Sequence, residues 1–168
     1  MKSIRNIKVL FMAQAAMISA IYIVITVVFA PISFGYMQVR ISEMLTILPF
    51  FTPAAIPGLF IGALLANLFA GAVLIDVVFG SLATLIAACF TYLLRKKSKY
   101  LAPVPPIVVN ALIIPFVLRY GYGVLLPIPL MMATVGVGQI IACGVLGIIL
   151  LKVLEKYRDT LFPRYDDM

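Results

Sequence analysis

Polar and apolar positions along this chain fall in long blocks, not in short amphipathic periods. Val9–Ala30 is 22 residues without a charge, Met44–Ile75 is 32, and Tyr100–Leu118 is 19. A helix that crosses the hydrocarbon of a bilayer needs about 20 mostly apolar residues, so the first block reads as one crossing helix. The second block is too long for one. Pro49, Pro53 and Pro57 interrupt it, and Thr52–Pro57 reads as a tight turn, because proline removes a backbone donor and crowds the turn before it. The blocks predict six membrane helices, at about 9–30, 40–51, 57–71, 77–94, 103–118 and 127–151, in a single membrane domain spanning 1–168. The second is short for a full crossing.

The charges orient these helices. Lys2, Arg5 and Lys8 form one basic cluster; Arg95, Lys96, Lys97 and Lys99 a second; Lys152, Lys156, Arg158 and Arg164 a third. Short Lys/Arg-rich loops stay on the cytoplasmic side. All three clusters are inside only if an even number of crossings separates them, and four crossings followed by two satisfy this. The fold class predicted is an all-α integral membrane protein, a six-transmembrane-helix bundle with both termini cytoplasmic, multi-pass in the cell membrane. Ala13-Gln14-Ala15 resembles a signal cleavage site but precedes the apolar run instead of following it, so the first helix is read as retained.

Composition supports lipid as the solvent. Of the residues, 64% are apolar and 11% charged, against roughly 45–50% and about 25% in soluble domains. The net charge of +7 then reads as a topology signal and not as a nucleic-acid surface, since the clusters are short and lack interleaved aromatics. The chain has no His, which removes Ser-His-Asp and Cys-His catalysis and imidazole metal ligation. Cys89 and Cys143 lie in apolar runs without CxxC spacing and read as small buried thiols. No enzyme activity, metal or cofactor is expected. Nor is there a GxxxxGK[ST] phosphate loop, so any coupling to ATP falls to partner subunits.

Four charges lie outside the basic clusters: Arg40, Glu43, Asp76 and Arg119. The predicted topology sets all four at the outer level. A charge at membrane depth costs roughly 2.5–3.5 kcal/mol on insertion scales and usually marks a function. Arg40 and Glu43 are three apart, so on a helix they share a face and can pair. The sequence admits both mutual pairing of the four and an outward-facing pocket. Ser42, Gln38, Tyr36, Tyr120 and Tyr122 are nearby polar groups on the outer side. Asn67, Asn110 and Gln139, within the spans, each need a partner, as helix-to-helix ties or as ligand contacts. Two stripes of small residues allow close helix approach: Gly58, Gly62, Ala66 and Ala70 in the third span, and the alanines around Ala16 and Ala20 in the first.

Several segments are familiar: Phe29-Ala30-Pro31-Ile32-Ser33-Phe34-Gly35, Gln38-Val39-Arg40-Ile41-Ser42-Glu43, Ile56–Gly62, Ala66-Asn67-Leu68-Phe69 and Asp76–Leu85. With Leu101-Ala102-Pro103, Val109-Asn110-Ala111 and the Ala16/Ala20 pair, the chain over roughly residues 10–150 resembles the QueT family. These are substrate-binding S-components of energy-coupling factor (ECF) transporters, for queuosine precursors. The resemblance implies capture of a 7-deazaguanine such as preQ1, preQ0 or queuine from outside, and docking on a transmembrane coupling subunit with two ATPases. Arg40, Glu43, Asn67, Asp76, Asn110 and Gln139, with Phe34 and Tyr36 for stacking, are the implied substrate-binding residues. Ala16 and Ala20 are the implied docking face. A carboxylate at Glu43 or Asp76 suits the N1–H and exocyclic amine of a guanine-like edge. The resemblance would set Glu after Gly138, where this chain has Gln139. An amide cannot neutralise a cation, which leaves room for a neutral precursor. The competing readings are a self-contained secondary transporter, an S-component for another small metabolite, and a purely structural membrane subunit.

Overall fold

The computed structural model describes residues 2–33 and 40–162, and among these every regular element is helical. In chain order they are α1 (Lys2–Val28), the short α2 (Ala30–Ser33), a 3₁₀ helix (Ile41–Phe50), α3 (Ala55–Phe69), α4 (Leu74–Leu94), a 3₁₀ turn (Lys99–Leu101), α5 (Val104–Tyr120), α6 (Ile128–Gln139), a π-helical segment (Ile140–Leu146), α7 (Gly147–Lys156) and the short α8 (Arg158–Leu161). α1 contains neither Gly nor Pro, and a one-residue break at Phe29 separates it from α2, where Pro31 sits in the first turn and so costs no helical hydrogen bond. Pro57 sits in the first turn of α3 instead of before it. Its missing N–H is harmless there, because the first-turn donors have no helical acceptor.

Four helical stretches are long and apolar enough to cross a membrane: Ile7–Val28, Leu74–Leu94, Lys99–Tyr120 and Ile128–Lys156. Ile41–Phe50 and Ala55–Phe69 are apolar but shorter. Large apolar side chains such as Phe79, Phe90, Leu93, Phe116 and Ile149 face outward, which is tolerable in lipid and not in water. The molecule is thus an all-helical membrane protein.

The 3₁₀ helix is the centre of the bundle. It touches α1, α3, α4, α7 and the π segment, and seven of its ten residues are buried. A ten-residue 3₁₀ run is unusual. Its rise of about 2.0 Å per residue covers about 20 Å, where an α-helix of the same length covers about 15 Å. The extended winding lets a short segment reach deep into the bundle.

α1 and α3 pack through the glycine stripe. A Cβ on Gly58 would lie 2.7 Å from the Ala15 carbonyl oxygen, and one on Gly62 would lie 3.0 Å from Tyr22 Cβ. Backbone approach of that kind is what small residues permit between membrane helices. At the opposite end of α4 from Asp76, Lys99 Nζ pairs with Glu155 Oε2 at 2.8 Å, which brings the second and third basic clusters to the same end of the bundle. Gln14 Nε2 donates to the Leu161 carbonyl at 3.1 Å, tying α1 to α8 at that end. One sequence expectation fails here. Cys143 is buried but Cys89 is exposed. The inward face of α4 runs through Gly80, Ser81, Ala83, Thr84, Ala87, Ala88 and Thr91, and Cys89 falls beside it.

Candidate functional site

Away from the basic end, six elements each contribute a polar side chain to one buried cluster. Arg40 stands just ahead of the 3₁₀ helix in extended backbone (φ −85°, ψ 104°). Its Nη2 donates to Asp76 Oδ2 at 2.9 Å, and both side chains are buried. Asp76 is in the first turn of α4, whose N-terminal backbone dipoles favour an anion. The same oxygen accepts from the Tyr122 hydroxyl at 2.9 Å. Tyr122 belongs to the connection between α5 and α6. Burial, and next to it the Asp76 carboxylate, hold its phenol well above the usual tyrosine range. Tyr122 therefore stays a proton donor at all ordinary pH values.

Glu43, in the first turn of the 3₁₀ helix, is 2% exposed. Its Oε1 accepts from the Tyr22 hydroxyl of α1 at 2.6 Å, and its Oε2 accepts from Asn110 Nδ2 of α5 at 3.4 Å. Each carboxylate oxygen keeps a further lone pair. Thr26, one turn beyond Tyr22, donates to the Tyr22 carbonyl at 2.9 Å and lies 2.6 Å from Ser42 Oγ. Gln139 closes α6 where the winding changes to the π form, and Cys143 Sγ lies 3.0 Å from its Oε1. A π segment inserts a residue into the turn and re-aims side chains, often at functional sites. Here it sets Gln139 and Cys143 against the start of the 3₁₀ helix, with Cys143 Sγ 3.4 Å from the Glu43 carbonyl oxygen.

Arg40, Glu43, Gly80, Asn110, Ile114 and Gln139 line a common space of about 10 Å³. That is room for about one water. The cluster runs from the α5–α6 connection at Tyr122 to Asn110, within α5, and Gln139, at the end of α6. One guanidinium faces two carboxylates, so the formal charge of the cluster is negative by one. Buried charges persist when paired or hydrogen-bonded; Arg40 and Asp76 pair with each other, and Glu43 is held by neutral donors, the Tyr22 hydroxyl and the Asn110 amide.

Of the residues singled out in the sequence, Arg40, Glu43, Asn67, Asp76, Asn110 and Gln139 are all buried in or against this cluster. Arg40 pairs with Asp76, not with Glu43 three residues on. Lying before the helix, it does not share the helical face that the spacing rule assumes. Arg119 is not part of the cluster. Its Nη1 donates to the Val124 carbonyl at 3.3 Å and fastens the connection after α5. Tyr120 points outward. Phe34, Tyr36 and Gln38 lie outside the described residues. Tyr22 and Gly80 were not foreseen. Tyr22 is the only tyrosine in the first apolar run, and its four-residue spacing to Thr26 was the available signal.

A second feature lies on the outside of α1. Ala16 and Ala20 are exposed and line an apolar groove of about 480 Å³ with Met12, Ile23, Pro57 and Ile61.

One family model, described as QueT transporter, matches residues 12–156 of the chain. No curated protein and no solved structure matches it. The match covers most of the chain, which belongs to the QueT transporter family and is a membrane transporter protein, not an enzyme.

Proposed function

We propose that this member of the QueT transporter family is the substrate-capturing S-component of an ECF-type importer. Its six helices cross the cell membrane with both ends cytoplasmic, and its substrate is a queuosine precursor of the 7-deazaguanine class. The observation that carries this reading is the buried polar cluster around Glu43 in an otherwise apolar bundle. A guanine-like edge presents N1–H and an exocyclic amine side by side. Glu43 can accept both, because Tyr22 and Asn110 occupy only one lone pair on each of its oxygens. Tyr22 and Asn110 fix the orientation of the carboxylate before the ligand arrives, which lowers the cost of binding. Asn110 and Gln139 supply amides for the carbonyl and ring-nitrogen positions of the base. Phe34 and Tyr36 are the stacking residues of this proposal.

A bicyclic base does not fit in about 10 Å³, so capture requires the lining side chains to move apart. The connection that carries Tyr122 does not line this space but holds Asp76, the partner of the lining residue Arg40. Gly123 has a positive φ of 68° and neighbours Tyr122, and few side chains there are buried.

The chain has no phosphate loop of its own, so energy for uptake comes from a transmembrane coupling subunit and two ATPases. The exposed Ala16/Ala20 groove is the docking face of this proposal. Small residues at a lipid-facing surface permit the close helix approach that such a contact uses.

The test is a thermal melt of the purified protein in detergent against preQ1, preQ0, queuine, guanine and common vitamins. A ligand at a hundred times its dissociation constant stabilises the folded state by about 2.7 kcal/mol. A shift with a deazaguanine and none with the vitamins supports the reading. A cooperative melt that no deazapurine moves removes the substrate assignment.

A further inference from the structure

Arg119 and Tyr120 stand at the same end of the bundle as Asp76, yet the buried cluster uses neither. Arg119 is half-buried, and its Nη1 donates to the Val124 carbonyl at 3.3 Å. Among the described residues its guanidinium has no other acceptor, and no carboxylate pairs with it. A guanidinium carries five donors in a planar fork, so most of them stay open.

Beside Arg119, between α4 and α5, lies a groove of about 410 Å³. Ile75, Phe79, Leu112, Ile113, Phe116 and Tyr120 line it, and its surface is almost wholly apolar. Phe79, Leu112, Phe116 and Tyr120 are exposed, so the groove opens outward from two helices that are long and apolar enough to cross a membrane. Leu112, Phe116, Arg119 and Tyr120 stand at i, i+4, i+7 and i+8, which places them along one face of α5. The charge-free run of α5 ends at Leu118. Arg119 and Tyr120 thus sit at the head of the groove, where hydrocarbon gives way to the headgroup layer.

We infer that this groove is a binding site for one anionic phospholipid. One acyl chain lies along the apolar lining, and the lipid phosphate takes the open donors of Arg119. The Tyr120 ring stands at the interface beside it, its body apolar and its hydroxyl wet. Charge complementarity selects this occupant. A cation without a carboxylate partner heads an apolar groove, and an anionic lipid joins an apolar chain to a phosphate in the same order. Guanidinium and phosphate meet through paired N–H···O bonds, a geometry that suits Arg. Ile75 and Phe79 each precede a residue of the polar cluster, Asp76 and Gly80. The seated chain therefore packs the outer side of the helix whose inner side carries that cluster.

The chain has no Trp, so Phe116→Trp installs a single fluorophore in the groove. Val24→Trp, on the exposed side of α1, reports on ordinary lipid. Each full-length variant is reconstituted in phosphatidylcholine vesicles containing a minor fraction of phosphatidylglycerol, with bromine on the acyl chains of one lipid or the other. Bromine quenches a neighbouring indole, so the two samples give the local ratio of the lipids. At Phe116→Trp, phosphatidylglycerol is expected to be enriched about fivefold over its share of the vesicle, the scale of one cation near an anionic headgroup. At Val24→Trp no enrichment is expected. Adding Arg119→Gln to Phe116→Trp should abolish the enrichment, while Arg119→Lys, which keeps the charge, should retain part of it. Tyr120→Trp, at the exposed rim, gives the same readout if Phe116→Trp does not fold. Equal ratios at the groove and at Val24 overturn the site, as does an enrichment that survives Arg119→Gln. Quenching by neither lipid in the groove shows a face covered by protein, such as a second copy of the chain, and overturns it as well.

Discussion

The two faces of α1 are built on opposite terms. The inward face carries Tyr22 and Thr26, both fully buried, and each hydroxyl meets a polar group of the 3₁₀ helix: Tyr22 meets Glu43 and Thr26 meets Ser42. The outward face carries Ala16 and Ala20, which are exposed and line an open, mostly apolar groove. The inward face has directional hydrogen bonds in a low-dielectric interior, where each one is strong and each loss is costly. The outward face has only shape. A bonded face confers chemical selectivity and a smooth face permits close approach, so one helix can serve recognition on one side and assembly on the other.

This contrast can be broken one side at a time. The largest effect is expected from the smooth side. Ala20→Trp fills the groove and is expected to reduce uptake in cells carrying the full transporter to background, while ligand affinity of the purified protein changes less than about twofold, as for a surface change away from the site. Next is Arg40→Met, which leaves Asp76 as a buried anion without its partner. A loss of about 3–5 kcal/mol is expected, read as a large drop in melting temperature. Glu43→Gln keeps the shape and removes the charge, and is expected to weaken ligand binding by roughly 10- to 100-fold, the scale of hydrogen bonds to a charged group. Tyr122→Phe deletes one hydrogen bond to Asp76 and is expected to cost about 1 kcal/mol of stability. It also serves as a check on the phenol. Because Asp76 and burial hold Tyr122 protonated, the difference between Tyr122→Phe and wild type should stay constant from neutral to mildly alkaline pH.

Much of this arrangement was legible in the sequence, and the gaps have physical causes. Blocks without charge announce membrane helices because lipid excludes charge, and the all-helical character follows from them. Arg40, Glu43 and Asp76 stood out because they interrupt that exclusion, and the structure brings them together. Their pairing was not legible. The i, i+3 rule applies only inside a helix, and Arg40 is extended. Arg119 looked equivalent to the others by depth, yet the Val124 carbonyl, within the connection that follows α5, takes its guanidinium. Tyr22 was hidden because a phenol in an apolar run reads as an aromatic body, and only the tertiary contact with Glu43 brings out its hydroxyl. The change from α to π winding after Gln139 carries no proline or charge as a signal. The π segment packs against the 3₁₀ helix, a tertiary contact that no local pattern encodes.

The account stands most directly on the separation of the two faces. Titration calorimetry of preQ1 into purified Ala20→Trp and purified Glu43→Gln, side by side with wild type, measures it. The account predicts wild-type affinity for Ala20→Trp and a loss of roughly 10- to 100-fold for Glu43→Gln. Equal weakening in both variants, or full affinity in Glu43→Gln, would contradict it.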